Sequence, residues 1–183
     1  GFVHVKIVAN LALKLLRLLM DAGVEPGIVK DFQMEPDDAE LVVVAASLLH
    51  DTGLSVAWDR HEIHSVFIAN QRLPGLLEGL YPPADRVVVA SEIMHAIVAH
   101  GGEERCLTHE AGIVKLANAL DMSQGRSRIP FEAGSVNIHS VSAQAIDKVE
   151  VKRGESKAVN IEVTMNNSAG IFQLDQQLKQ KLR

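Results

Sequence analysis

The run Leu41-Val42-Val43-Val44-Ala45-Ala46-Ser47-Leu48-Leu49 carries almost no polar atoms and ends in His50-Asp51. Such a segment predicts a helix that is apolar on all sides, and therefore central and buried. Its last two residues are then an imidazole and a carboxylate at the edge of a core. Both are expensive to bury unless something pairs with them. Adjacent residues at a helix end can turn into one cavity, where a metal cation would satisfy both. The remaining ligands would have to come from elsewhere in the chain.

With 183 residues the chain holds one domain, or one domain with a small appendage. A content of 47% hydrophobic and 22% charged residues is ordinary for a globular protein. Only 4% is aromatic, so the core must be aliphatic. The formal charge of −5, without a basic block, argues against a nucleic-acid-binding module. No apolar run reaches the ~20 residues needed to span a bilayer, and the nearest, Leu11 to Met20, is interrupted by Lys14 and Arg17. The single cysteine, Cys106, excludes an intramolecular disulfide and suggests a reducing compartment. No signal-peptide pattern is present, so the expected location is cytoplasmic. The chain opens at Gly1 inside what already reads as a helix, which suggests truncation at the N-terminus.

Residues 3–22 read as a first helix closed by Ala22-Gly23, with Val8, Leu11, Leu15 and Leu18 on its apolar stripe. His4 lies on the same stripe. After a linker, Pro36-Asp37-Asp38 opens the apolar helix, with acids in its first turn. Thr52-Gly53 breaks it. Residues 60–71 read as a third helix, followed by Leu73-Pro74-Gly75. Pro82-Pro83-Ala84-Asp85 opens a fourth that ends at His100-Gly101-Gly102, and Thr108 caps a fifth running to about Met122. The pattern then changes. Val149 and Val151, and later Val159, Ile161, Val163 and Met165, alternate with polar residues around Arg153-Gly154-Glu155-Ser156, which predicts a β-hairpin. Residues 135–141 could add a strand, and Ile171, Leu174, Leu178 and Leu182 share a helical face in the tail. The expected fold is mainly α. A helical bundle over 1–125 carries a small C-terminal α+β extension, a β-hairpin plus helix, over 126–183.

Six of the eight histidines fall between residues 50 and 109. His4 sits on a core stripe, His50 ends a buried helix, and His100 shares the face of Ile93. One such histidine would read as an ordinary core residue with an ordinary partner. Three of them with Asp51 in one helical core point to a shared ligand.

These motifs, in order, resemble the HD-domain superfamily of metal-dependent phosphohydrolases. His4-Val5-Lys6-Ile7-Val8-Ala9 is similar to the family's first element. Leu48-Leu49-His50-Asp51-Thr52-Gly53 is similar to the second, and Ile113-Val114-Lys115-Leu116-Ala117-Asn118-Ala119-Leu120-Asp121 to the third. The resemblance covers about residues 1 to 125 and implies His4, His50 and Asp51 as metal ligands. It departs at Asn118, which stands where the family has its last ligand acid. An asparagine offers a neutral carbonyl oxygen and so a weaker site. Asp121, three residues on and on the same face, is the candidate to replace it, directly or through water, or to act instead as an orienting or capping acid. Two-metal members add histidines. His61-Glu62 occupies the family's usual histidine position after the pair, and Ala96-Ile97-Val98-Ala99-His100 resembles its Ala-Ile-x-x-His element, so the resemblance favours His61 and His100. His95, about 140° from His100 around one helix, does not reach the same metal. His95 then reads as an outer or phosphate-binding residue, and His64 as surface.

The resemblance implies one or two divalent cations (Mn, Fe, Co, Ni or Zn, with Mg allowed) and a small phosphorylated substrate, nucleotide-like, hydrolysed by a metal-activated water. Asp51, His61 and His100 would be the catalytic group. Arg126 and Arg128 could grip phosphate, or dock the extension onto the bundle. Lys115 and Arg60 are weaker phosphate candidates and read more simply as solvated charges. No nucleic-acid or membrane partner is expected, and a homodimer is left open. The competing reading is a degenerate HD-fold ligand-binding or interaction protein whose metal site is weakened by Asn118.

Overall fold

The computed structural model describes residues 1–101, 104–122 and 145–179. Among these residues six helices precede a two-stranded sheet: α1 (Phe2–Asp21), α2 (Gly27–Phe32), α3 (Pro36–Leu49), α4 (His61–Leu77), α5 (Pro83–Ala99) and α6 (His109–Leu120). A short 3-10 turn, Thr52–Ser55, joins α3 to α4. The antiparallel strands β1 (Ile146–Arg153) and β2 (Val159–Met165) follow, then a short helix α7 (Gly170–Gln173) continued by a π-turn, Leu174–Leu178. The architecture is therefore mainly α with a small C-terminal α+β portion. Among the described residues no helix is long and apolar enough to cross a membrane.

α3 lies at the centre, packed against α1, α5 and α6. Ala39, Val42, Val43 and Ala46 are fully buried, and the acids of its first turn face the N-terminal end of the helix dipole. The expectation that α3 is buried all round needs correction. Leu48 remains 42% exposed, because no described element covers that side of the last turn. α1 ends as its Ala-Gly signal predicts. Gly23 has φ +84, its N–H bonds the Met20 carbonyl, and the Val24 N–H bonds the Leu19 carbonyl, the paired closure of a left-handed C-terminus. Thr108 caps α6 by accepting the Ala111 N–H.

Two element boundaries differ from the sequence pattern. The stretch read as linker contains α2, whose first amides are held from a distance: the Gly27 and Ile28 N–H groups donate to the carboxylate of buried Glu110, at 3.1 and 3.0 Å. A cap supplied by a residue on α6 leaves no local signature. α4 also runs through Pro74 instead of stopping before it. Proline costs the Asn70 carbonyl its helical donor, but Asn70 and Pro74 face solvent while Leu73 and Leu77 are locked into the core. Packing outweighs the local penalty.

The hairpin pairs Val149 with Val163 and Val151 with Ile161. Ile146 and Val151 are buried in the same core as the helices, and both strands lie against α1. In the tail, Leu174 and Leu178 pack on that core while Ile171 is exposed. The expected strand at 135–141 and Leu182 lie outside the described residues.

One buried group is poorly accommodated. Glu92 on α5 is 8% exposed, and its Oε2 has no hydrogen-bond partner. Burial, the Glu110 carboxylate and Asp31 outweigh a bond with Thr108 and hold the Glu92 carboxyl above its usual range. A raised carboxyl pKa means that the folded state binds the proton more tightly than the unfolded one, so stability is lost as pH rises through this range. Glu92→Gln is therefore expected to stabilise the fold by about 1 kcal/mol near neutral pH, with the gain vanishing below roughly pH 4. Urea denaturation at the two pH values checks this, and equal stabilities at neutral pH would contradict it.

Candidate metal centre

Four helices deliver their ends to one cavity. His4 comes from the first turn of α1, and His50 and Asp51 from the C-terminal end of α3. His61 is the first residue of α4, and His100 caps α5. His50 and His100 are essentially inaccessible, and the others are half-buried. Their rings form a file, with centroids 5.2 Å apart for His4 and His50, 4.7 Å for His50 and His100, and 5.3 Å for His61 and His100.

Asp51 stands beside this file. Its Oδ2 lies 3.4 Å from His4 Nε2. Its Oδ1 lies 3.4 Å from Nε2 of both His50 and His61, and 3.8 Å from Nε2 of His100. The potential ligand atoms fall into two groups that share this carboxylate: His4, His50 and Asp51, and Asp51, His61 and His100. Burial pushes the Asp51 carboxyl up, but His50, His100, His4 and His61 together pull it below the ordinary range. It is held as a carboxylate.

The ring orientations follow from their outer partners. Nδ1–H of His50 donates to the Ser47 carbonyl at 2.8 Å, and Nδ1–H of His100 to the Ile97 carbonyl at 2.6 Å. Nδ1–H of His61 points to the Trp58 carbonyl at 3.2 Å, with Glu62 Oε2 at 3.3 Å. His4 Nδ1–H donates to Asp121 Oδ2 at 2.5 Å. Each of these oxygens accepts, so each Nδ1 carries a proton and each Nε2 is turned inward, with a lone pair in the neutral imidazole and an N–H in the imidazolium. Yet Nε2 of His4 and His50 are 3.2 Å apart, and those of His61 and His100 are 3.3 Å apart. In neutral imidazoles the facing lone pairs repel. A shared cation removes that conflict, and neighbouring ligands of one small cation with bonds of about 2.1 Å sit about 3.0–3.4 Å apart. The donor set, nitrogens with a bridging carboxylate, suits a divalent transition metal.

The turn after His50-Asp51 sets the distance between α3 and α4. The Gly53 N–H donates to Ser65 Oγ at 2.8 Å, and the same hydroxyl donates to the His50 carbonyl at 2.6 Å. A Cβ on Gly53 would lie 2.0 Å from the His61 carbonyl oxygen and 2.5 Å from the Ser65 nitrogen. Only glycine lets the two backbones approach this closely.

The other residues read from the sequence are placed as follows. Asp121 sits behind His4, on the ring nitrogen that faces away from the converging ligand atoms, and belongs to neither group. Its carboxylate fixes the tautomer and orientation of His4, a partner that commonly accompanies metal-binding imidazoles. Asn118 is buried one turn earlier on α6. His95 is turned to the loop before α6, where its Nε2 accepts the Leu107 N–H at 2.9 Å. Lys115 is buried, at 8% exposure, which corrects its reading as a solvated charge, while Arg60 is exposed with φ +52. His64, expected at the surface, is half-buried beside the Gly53 turn. Arg126 and Arg128 lie outside the described residues. Ser65 was missed by the sequence reading, although it falls four residues after His61 on the same face of α4.

The sequence profile of the HD domain matches residues 1–123, a span that contains all five converging residues. The chain belongs to the HD-domain family. That membership places it in a superfamily of metal-dependent phosphohydrolases, and the two ligand groups are compatible with it. The chain is also 40% identical, over its whole length and 71% of the relative, to uncharacterized protein MJ1020 of Methanocaldococcus jannaschii. No solved structure matches.

Gly53→Ala is expected to destabilise the HD domain by about 3 kcal/mol, because backbone and not a side chain must give way. Thermal unfolding checks this. An unchanged Tm would show that the α3–α4 approach is not limiting.

Proposed function

We propose that the chain is a metal-dependent phosphohydrolase that cleaves a phosphomono- or phosphodiester of a small, nucleotide-like substrate with a metal-activated water. The observation that carries this reading is the position of Asp51, one carboxylate common to two groups of imidazole nitrogens. His4, His50 and Asp51 would hold one cation, and Asp51, His61 and His100 a second. When bound, such cations lower the pKa of water and polarise a phosphoryl oxygen. The residues of the chain supply the rest. Asp121 and the Ser47, Trp58 and Ile97 carbonyls keep the ring protons on the outer nitrogens. Asp51, held ionised, offsets cationic charge. Burial of His50 and His100 excludes bulk water from the inner side.

Support for a nucleotide-like substrate comes from Trp58. It is the sole tryptophan, it is 85% exposed, and its carbonyl is the partner of His61. A flat, exposed apolar ring on the residue whose carbonyl holds His61 suits a base that stacks on it. Arg126 and Arg128 are proposed to meet phosphate oxygens, with His95 and Lys115 as weaker candidates because His95 is engaged by the Leu107 amide and Lys115 is buried.

One specific residue favours a second reading, a ligand-binding protein with a degenerate site. Asn118 supplies no charge where the family has an acid. The two readings separate in one assay: hydrolysis of nucleoside monophosphates, cyclic nucleotides and a base-free phosphoester, with Mn, Co, Ni or Fe and bound metal measured. The first reading predicts turnover, abolished by Asp51→Ala. Trp58→Ala should raise KM roughly tenfold for nucleotides alone. An inert metal-loaded protein that gains activity on Asn118→Asp supports the second. No turnover in either form, with metal bound, rules out the hydrolase reading.

A further inference from the structure

A second cleft lies between α4 and α5, away from the metal-ligand cluster. It encloses about 330 Å³ and is lined by Leu77, Val87, Met94, Asn70, Ser91 and Arg86, among others. Arg86 and His100 are fourteen positions apart in sequence, so about 21 Å of helix separates Arg86 from the cluster, and the nearest lining residue on α5, Met94, is about 9 Å along the axis from His100. The metal centre does not use it.

The unusual member is Arg86. Its Nε is buried and has no hydrogen-bond partner, and among the described residues the guanidinium makes no ion pair. None of the cleft-lining residues is acidic. A buried N–H without an acceptor costs about 1–3 kcal/mol, and a guanidinium beside apolar walls is under-solvated as well. The Nε has no accessible surface, so what the cleft offers is the positive charge of Arg86, which has no acid beside it in the lining, with an amide and a hydroxyl on a mostly aliphatic surface. Val87, 66% exposed on its rim, extends that surface outward.

We propose that this cleft binds a small amphipathic monocarboxylate, with its carboxylate on Arg86 and its apolar body between Leu77, Val87 and Met94. The volume suits a small molecule and not a folded partner, since ligand pockets start near 300 Å³. The guanidinium fork matches a carboxylate through two parallel hydrogen bonds. One fixed cation balances one negative charge. A phosphomonoester dianion would leave a second charge desolvated against aliphatic walls, which is unfavourable. The Asn70 amide and the Ser91 hydroxyl sit on opposite walls and can complete the carboxylate's hydrogen bonds.

The test is a titration of the full chain followed by nitrogen-15 NMR, which needs neither metal nor turnover. The probes are hexanoate, hexanol and hexyl phosphate. Saturable binding of hexanoate is expected, with shifts of the Arg86 Nε–H signal and the Val87 and Ser91 amides. Hexanol and hexyl phosphate should bind at least tenfold more weakly. Arg86→Gln should weaken hexanoate at least tenfold, and Ser91→Asp, an exposed change that adds a repelling charge, should do the same if Arg86→Gln folds poorly. Hexanol or hexyl phosphate binding as tightly as hexanoate overturns the proposal. So does unchanged hexanoate affinity in a folded variant, or a titration without saturation.

Discussion

Everything at the functional end of this molecule depends on the Asp51 carboxylate and the four imidazoles around it. The inner nitrogens of two histidine pairs face each other at 3.2 and 3.3 Å, beside the Asp51 carboxylate. The outer hydrogen bonds fix that arrangement, because each Nδ1–H is committed to a carbonyl or a carboxylate and each Nε2 is turned inward. Four inward-turned imidazole nitrogens gathered around one carboxylate are a donor set compatible with divalent cations.

The fold serves that arrangement at the ends of its helices. α3 brings two of the five residues because it is central, and the aliphatic density that buries it fixes His50 in place. Gly53 and Ser65 then tie α3 to α4, one by the absence of a side chain and the other by an α4 hydroxyl that bonds the Gly53 N–H and the His50 carbonyl. The antiparallel run of α4 and α5 carries His61 at the start of one helix to His100 at the end of the next. Asp121 closes the ring from α6 by steering His4.

Much of this was legible in the sequence because periodicity reports local burial. The stripe of α1, the capping of α6, the breaks at Gly23 and Gly53 and the two-residue alternation of the hairpin each act within a few residues. The inward histidines were legible for the same reason, since their spacing from core positions marks the face they share. What escaped was non-local. α2 owes its N-terminal cap to Glu110 on a distant helix, and α4 survives Pro74 because Leu73 and Leu77 are anchored elsewhere. Asp121 could be placed near the site but not behind His4, because a helical face does not say which side of a ring a carboxylate meets.

Metal content tests the account most directly. The purified chain, loaded with Mn or Fe and freed of excess, should hold about two ions. Asp51→Ala should lose both, because the two sites share this ligand, while His100→Ala should keep the ion held by His4, His50 and Asp51. A folded natural chain that binds no metal would contradict the account. So would an Asp51→Ala variant that retains as much metal as His100→Ala.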